Sequence, residues 1–179
     1  SDDLDLFLPM VDDHPKFAGL SYEEKRDLVL DRHNFAAFML ASGRVDALVG
    51  GATMTASSGL RSLFRIVPKE ENVRTVSSLL ILDRENAEFG LQGLLFLADC
   101  GVVPEPRVEQ LAEIATTTAR IAGHLTGEEP RVAFLSFASK ADQIVHPSIE
   151  RIREALPMAR DLGEKIGIGA KMSGELHLD

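Results

Sequence analysis

Residues Val45–Arg61 of this chain read VDALVGGATMTASSGLR, in which a short apolar run ends at Gly50-Gly51. Small and hydroxylated residues follow, and Arg61 comes where a helix is starting. Glycines let backbone N–H groups approach an anion, the start of a helix offers further N–H donors, and arginine binds phosphate as a bidentate fork. The pattern predicts a buried strand, a loop and a helix that bind a phosphorylated small molecule. An ordinary turn with a good N-cap fits the same residues, since Ser and Thr are preferred there.

The composition is typical of a globular protein, with 45% hydrophobic and 26% charged residues among 179. A net charge of −9, from 28 acidic and 19 basic residues, argues against nucleic-acid binding and against a basic membrane-surface protein. No apolar run approaches the roughly 18 residues that span a bilayer. The one cysteine, Cys100, excludes an internal disulfide and is typical of a cytoplasmic protein. The scattered histidines predict no metal site.

Helical and strand patterns alternate along the chain. We expect residues 1–20 to be irregular, residues 21–72 to belong to a first α/β subdomain and residues 73–179 to a second. Helices are predicted over about 21–42, 57–67, 106–124 and 147–160, and strands at Ala47–Val49, Val73–Leu82, Leu91–Ala98, Arg131–Phe137 and Gly174–Asp179. This alternation predicts an α/β fold with a mostly parallel sheet.

Two further strand ends carry candidate binding residues. Cys100 follows the apolar run Leu91–Ala98, and Ser136 and Lys140 lie in the stretch LSFASK. Ligands of α/β proteins bind at the carboxyl ends of strands, and a lysine there can hold a phosphate as a point charge. Packing of Cys100 in the core, and a solvated turn at Lys140, explain the same positions without a ligand.

Several stretches, in this order and spacing, resemble the phosphate acetyl/butyryltransferase family. They are Asn34–Gly43 (NFAAFMLASG), Val45–Arg61, Phe96–Pro106 (FLADCGVVPEP) with Glu109–Ala115 (EQLAEIA), Glu129–Lys140 (EPRVAFLSFASK) and Gly174–Asp179. The resemblance covers about residues 21–179. It implies a three-layer α/β/α fold similar to the isocitrate/isopropylmalate dehydrogenase group, with two subdomains flanking a cleft.

The resemblance also implies an activity, in which acetyl-CoA and phosphate give acetyl phosphate and CoA. It implies a cytoplasmic homodimer with no permanently bound cofactor, whose partners are acyl-CoA, phosphate and acyl phosphate. Arg61 falls on an anion-binding arginine of the family, Cys100 on a cysteine near the coenzyme A site, and Lys140 on a lysine of a binding turn. The candidate substrate-binding residues are Gly51, Thr53, Thr55, Ser57, Arg61, Cys100, Ser136 and Lys140.

The family's catalytic base belongs to a serine-arginine-aspartate segment that lies beyond the point matching Asp179. No catalytic residue is therefore assigned, and we expect this chain to be about half of a catalytic unit and inactive alone. Two alternatives stay open. One is a non-catalytic acyl-CoA-sensing regulatory domain of a malic-enzyme-type protein, and the other is a pure dimerisation module.

Overall fold

The structure, a computed structural model, describes residues 2–84, 88, 90–138, 145–168 and 171–176. Its fold is mixed α/β, with six α-helices and four strands among the described residues. The chain divides into two compact units, Ser1–Glu70 and Glu71–Asp179. The described part of the first unit is helical, and both sheets lie in the second. None of the described helices is both long and apolar enough to cross a bilayer.

Four helices build the first unit around one hydrophobic core. They are α1 Asp2–Asp12, α2 Tyr22–Leu30, α3 Arg32–Ala41 and α4 Ala56–Ile66, with a single 3-10 turn at Pro15–Phe17. The core consists of Phe7, Val11, Phe17, Val29, Ala37, Phe38 and Ile66. The helix predicted at 57–67 is thereby confirmed as α4.

The prediction that residues 1–20 are irregular is wrong. Helix α1 occupies most of this segment, and its Phe7 and Val11 are fully buried. These two residues are four positions apart and therefore lie on one face of the helix. Pro9 lies inside the helix and costs it a backbone hydrogen bond, which is why the segment does not look helical in sequence.

The single helix predicted over 21–42 is in fact two helices. Ser21 and Glu24 form a capping box at the start of α2. Asp31 separates α2 from α3. Its carboxylate accepts hydrogen bonds from the backbone N–H groups of His33 and Asn34, at 3.1 and 3.0 Å. An aspartate that caps a new helix start ends the previous one.

The predicted strand at Ala47–Val49 is not formed. The connection between α3 and α4 contains neither helix nor strand, and Val49 is 95% exposed. A strand needs a neighbour for its backbone hydrogen bonds. The described residues of the first unit offer it none, so the three apolar residues between Asp46 and Gly50 form no strand and are exposed.

The second unit contains two small sheets. Strands β1 Leu80–Asp83 and β2 Leu94–Leu97 form an antiparallel pair and confirm the strands predicted at Val73–Leu82 and Leu91–Ala98, although both are shorter than expected. Strands β3 Arg131–Leu135 and β4 Lys171–Leu176 pair in parallel. The described strands therefore form one antiparallel and one parallel pair, not the mostly parallel sheet predicted.

Two long helices pack on the parallel pair. Helix α5 Val108–Thr126 ends at Gly127, whose φ of +73° favours glycine. Helix α6 Pro147–Lys165 runs through Pro157 without ending, five residues beyond its predicted limit. Their small buried side chains approach β3 and β4 closely, in a core made of Ala112, Ala115, Phe134, Ile152, Ala155, Ala159 and Met172.

Candidate functional site

The start of helix α4 is built as a capped, positively polarised helix end. The Thr55 hydroxyl accepts a hydrogen bond from the backbone N–H of Ser58 at 3.3 Å and lies 3.1 Å from the Ser57 hydroxyl. The first turn contains no acidic residue, so nothing local neutralises the positive end of the helix dipole. Before it, Gly51 has a φ of +115°, a conformation that a side chain would strain.

Arg61 lies on the same side of α4 as Ser57. The two residues are four positions apart, and helical side chains lean toward the N-terminus, so a guanidinium at position 61 can reach the first turn. Arg61 is exposed and, among the contacts of the described residues, makes neither an ion pair nor a side-chain hydrogen bond. A bidentate cation, a hydroxyl and a helix N-terminus therefore share one solvent-facing surface.

The structure brings together only part of the predicted site. Thr55, Ser57 and Arg61 share helix α4 and its cap, and Gly51 and Thr53 are exposed in the preceding loop. Cys100 and Ser136 belong to the second unit, and Lys140 lies outside the described residues. None of the five predicted residues in the first unit is buried, so the hydroxyls and the guanidinium are accessible to a ligand.

Cys100 and Ser136 follow β2 and β3, respectively. The Cys100 thiol is exposed, which excludes the core-packing alternative, and it donates to the carbonyl of Leu97 at 3.3 Å. The Ser136 hydroxyl is half-buried and bonds within its own turn, where it accepts the N–H of Ala138 at 3.2 Å. Cys100 is therefore available to a ligand, whereas Ser136 chiefly shapes the turn.

Sequence reasoning missed Asp99, which organises the loop that carries Cys100. Its carboxylate accepts hydrogen bonds from the hydroxyl and the N–H of Ser78 and from the N–H groups of Gly101 (3.2 Å) and Val103 (2.6 Å). The Ser78 hydroxyl in turn accepts the N–H of Cys100 at 2.8 Å. The sequence signal was an aspartate two residues before a glycine at a strand end, a common turn arrangement.

These hydrogen bonds keep Asp99 ionised. Burial raises the pKa of Asp99, but the bonds from the Ser78 hydroxyl and amide, and from the Val103 and Gly101 amides, outweigh it and hold that pKa well below its ordinary value. An anion surrounded by N–H donors fixes the loop. It is not a proton acceptor at neutral pH.

No three His, Cys, Asp or Glu side chains come close enough to hold a metal ion within the part of the chain that the structure describes. The polar groups of the site are instead hydroxyls, backbone N–H groups and one guanidinium. Those are the donors that bind phosphate and carboxylate.

A comparison with known protein families identifies the family of this chain. Residues 8–179 match the model of the family described as phosphate acetyl/butaryl transferase. The chain belongs to this family. The resemblance seen in the sequence is thereby confirmed, and the match extends into α1.

Individual relatives agree with the family assignment. The phosphate acetyltransferases of Thermoanaerobacterium thermosaccharolyticum and Treponema pallidum are each 37% identical to this chain, over 92% of its residues and 48% of their own. The solved EutD phosphotransacetylase from Staphylococcus aureus has a TM-score of 0.79 at 22% identity, over 99% of this chain and 51% of that one. The chain spans about half the length of the curated relatives it matches.

Proposed function

We propose that this chain forms part of a phosphate acetyltransferase, which interconverts acetyl-CoA and phosphate with acetyl phosphate and CoA. The family match over residues 8–179 carries the proposal. The geometry of α4 supports it independently, because the reaction requires a site for a small phosphorylated anion.

The proposed phosphate site is the start of α4 with the loop before it. Arg61 binds two oxygens of the anion, the hydroxyls of Thr55 and Ser57 donate to a third, and the polarised helix end lowers its electrostatic energy. Gly51 lets the loop backbone approach. When thiolate sulfur attacks the acetyl phosphate carbonyl, these fixed donors stabilise the charge that develops on the leaving phosphate.

The proposed coenzyme A contacts lie in the second unit. Cys100 is exposed on a loop that Asp99 holds rigid, and Ser136 and Lys140 belong to the segment after β3. A loop with few internal degrees of freedom binds a long substrate at a lower cost in entropy. In this proposal Asp99 positions the loop and takes no part in proton transfer.

The finer architecture is part of the same proposal. We infer a three-layer α/β/α arrangement like that of the isocitrate/isopropylmalate dehydrogenase group, two subdomains flanking a cleft, and a cytoplasmic homodimer. The likeness to solved phosphotransacetylases, at TM-scores of 0.79 and 0.76, supports the α/β part of this inference.

Phosphate binding to Arg61 variants tests the proposal. Arg61→Ala should weaken the binding of inorganic phosphate and acetyl phosphate about 10- to 100-fold, the equivalent of a charge-assisted bidentate bond worth about 1.5–3 kcal/mol. Arg61→Lys should bind with intermediate affinity, since lysine keeps the charge and loses the fork. Isothermal titration calorimetry or phosphorus NMR measures these affinities.

Arg26→Ala is the matched control, because Arg26 is also an exposed helical arginine, with its guanidinium 3.7 Å from Asp27. It should leave phosphate affinity unchanged. Equal affinity of the wild type and Arg61→Ala would refute the α4 site. Binding of acetyl-CoA without any binding of phosphate would instead favour a sensing domain.

A further inference from the structure

Met54 is the one half-buried residue in the loop before α4. From residue 46 to residue 58 every other residue is exposed. Met54 is not part of the hydrophobic cores that the described residues form, whereas the other four methionines of the chain lie in or against one of them. Nearby residues of the loop and of α4 must therefore bury its side chain.

Two glycines form the surface on which Met54 packs. A side-chain carbon at Gly59 would lie 3.1 Å from the Met54 sulfur, and one at Gly50 would lie 3.0 Å from the Met54 methyl carbon. Carbon atoms in ordinary contact are about 3.5–4.0 Å apart, so the thioether occupies the space that side chains at both positions would need. Neither glycine has a positive φ. The contact with Met54, and not the backbone conformation, therefore favours glycine at these positions.

The contact with Gly59 fixes the direction in which the chain enters α4. Thr55 is the N-cap of this helix, so Met54 immediately precedes the cap and Gly59 is the fourth helical residue. Apolar residues that pack together from these two positions form a hydrophobic staple, which sets the entry angle of the chain. Here the helical member is glycine, so Met54 lies on the helix backbone. Its methyl group also reaches Gly50, where the loop begins.

We propose that Met54 is a positioning residue of the α4 phosphate site. By packing on Gly50 and Gly59, its side chain holds the backbone of the loop and the hydroxyl of Thr55 in one arrangement. An anion then binds without the cost in entropy of ordering the loop. The identity of the anion rests on the proposed function, whereas the packing rests on the geometry of the loop alone.

The phosphate affinity of Met54 variants tests this role. Met54→Ala leaves the space over both glycines empty and should weaken the binding of inorganic phosphate about three- to tenfold, because binding must then order the loop. Met54→Leu keeps an apolar side chain of similar volume and should bind phosphate within about twofold of the wild type. Isothermal titration calorimetry measures these affinities.

The two glycines allow the same contact to be removed from the other side. In Gly50→Ala/Gly59→Ala the added methyl groups displace the thioether, so phosphate affinity should fall as in Met54→Ala, although alanine is the better helix former at position 59. Adding Met54→Ala to this variant should weaken binding no further, since all three substitutions remove one contact. The matched control is Gly19→Ala/Gly123→Ala, in which the added carbons come no closer than 3.5 Å to a neighbour. It should leave the affinity unchanged.

NMR spectroscopy of a chain with ¹³C-labelled methionine methyl groups observes the packing directly. The five methionines should give five methyl resonances, and that of Met54 is the one missing from Met54→Leu. This resonance should shift in Gly50→Ala/Gly59→Ala and should keep its position in the control variant Gly19→Ala/Gly123→Ala.

The outcomes separate this proposal from the proposed function. A Met54 resonance that Gly50→Ala/Gly59→Ala leaves in place would overturn the packing and the positioning role with it. Equal phosphate affinity of the wild type and Met54→Ala, with phosphate bound by both, would overturn the role of Met54 and leave the α4 site intact. A wild type that binds no phosphate would instead refute the α4 site itself, and the role of Met54 in binding with it.

Discussion

The carboxylate of Asp99 joins two parts of the second unit that are distant in sequence. It accepts hydrogen bonds from Ser78, just before β1, and from the backbone N–H groups of residues 101, 102 and 103, after β2. Hydrogen bonds to a charged group are about twice as strong as neutral ones. An asparagine has one acceptor oxygen and no charge, so it can replace only part of this network.

The lowered pKa of Asp99 predicts an acid-sensitive contribution to stability. The contribution is complete above the unfolded-state pKa of about 3.9 and is lost as pH falls below it toward the lower folded-state pKa. Between about pH 5 and pH 2 the unfolding free energy of the wild type should therefore fall more steeply than that of Asp99→Asn. At pH 7 the variant should be about 1–3 kcal/mol less stable. Urea unfolding at a series of pH values measures both.

Asp161→Asn serves as the control for this prediction. Asp161 is exposed on α6, so its replacement should change neither the stability at pH 7 nor the slope against pH by a measurable amount. Superimposable pH curves for the wild type and Asp99→Asn would show that the network contributes nothing to the fold, and parallel but offset curves would contradict the predicted acid sensitivity.

The candidate residues differ in how well sequence could find them. The helix start beside Thr55 could be predicted because it is read from neighbouring positions, whereas the binding roles of Thr55 and Arg61 stay a prediction. The sequence did not reveal Asp99, because its principal partner is 21 residues away and its other partners are backbone groups. Interactions between neighbouring residues can be predicted from a single sequence, whereas contacts between residues that are distant in the chain cannot.

The same distinction applies to whole elements. The helices at 57–67 and about 106–124 and the two strands that became β1 and β2 were predicted, because each depends on residues close together in the chain. The strand at residues 47–49 failed because pairing depends on a distant neighbour. Its apolar residues could not show whether such a neighbour exists.

Helix α1 contains a residue that disfavours helix formation, and its packing against the rest of the first unit stabilises it nevertheless. Pro9 disfavours it, but Phe7 packs edge-on against Phe35, with ring centroids 5.1 Å apart, and stacks on Phe38 at 5.6 Å. Burial of a large aromatic side chain outweighs one lost backbone hydrogen bond. The helix therefore depends on the core of the first unit.

Phe7→Ala should accordingly destabilise the protein by about 3–5 kcal/mol, the usual cost of removing a buried phenylalanine. Phe64→Ala, at a position on α4 that is 44% exposed, should cost much less. Thermal or urea unfolding compares the two variants. An equal, small effect of both would mean that α1 does not belong to the core.

At the scale of the whole molecule, each unit has a hydrophobic core of its own. The proposed phosphate contacts lie in the first unit and the proposed coenzyme A contacts in the second. The net charge of −9 opposes the approach of anionic substrates. In the proposed site, local donors such as Arg61 and the start of α4 offset this repulsion.

We therefore expect this chain to bind phosphate without catalysing the formation of acetyl phosphate. The 179 residues contain the proposed phosphate site, but no described residue at that site can act as a base toward the coenzyme A thiol, since Thr55, Ser57 and Arg61 hold no proton acceptor that is active near neutral pH. Incubated with acetyl-CoA and phosphate, the chain should bind phosphate and form no acetyl phosphate, while the full-length Treponema pallidum relative assayed beside it provides the positive control. Acetyl phosphate formation that Arg61→Ala abolishes would show that these 179 residues already contain the base.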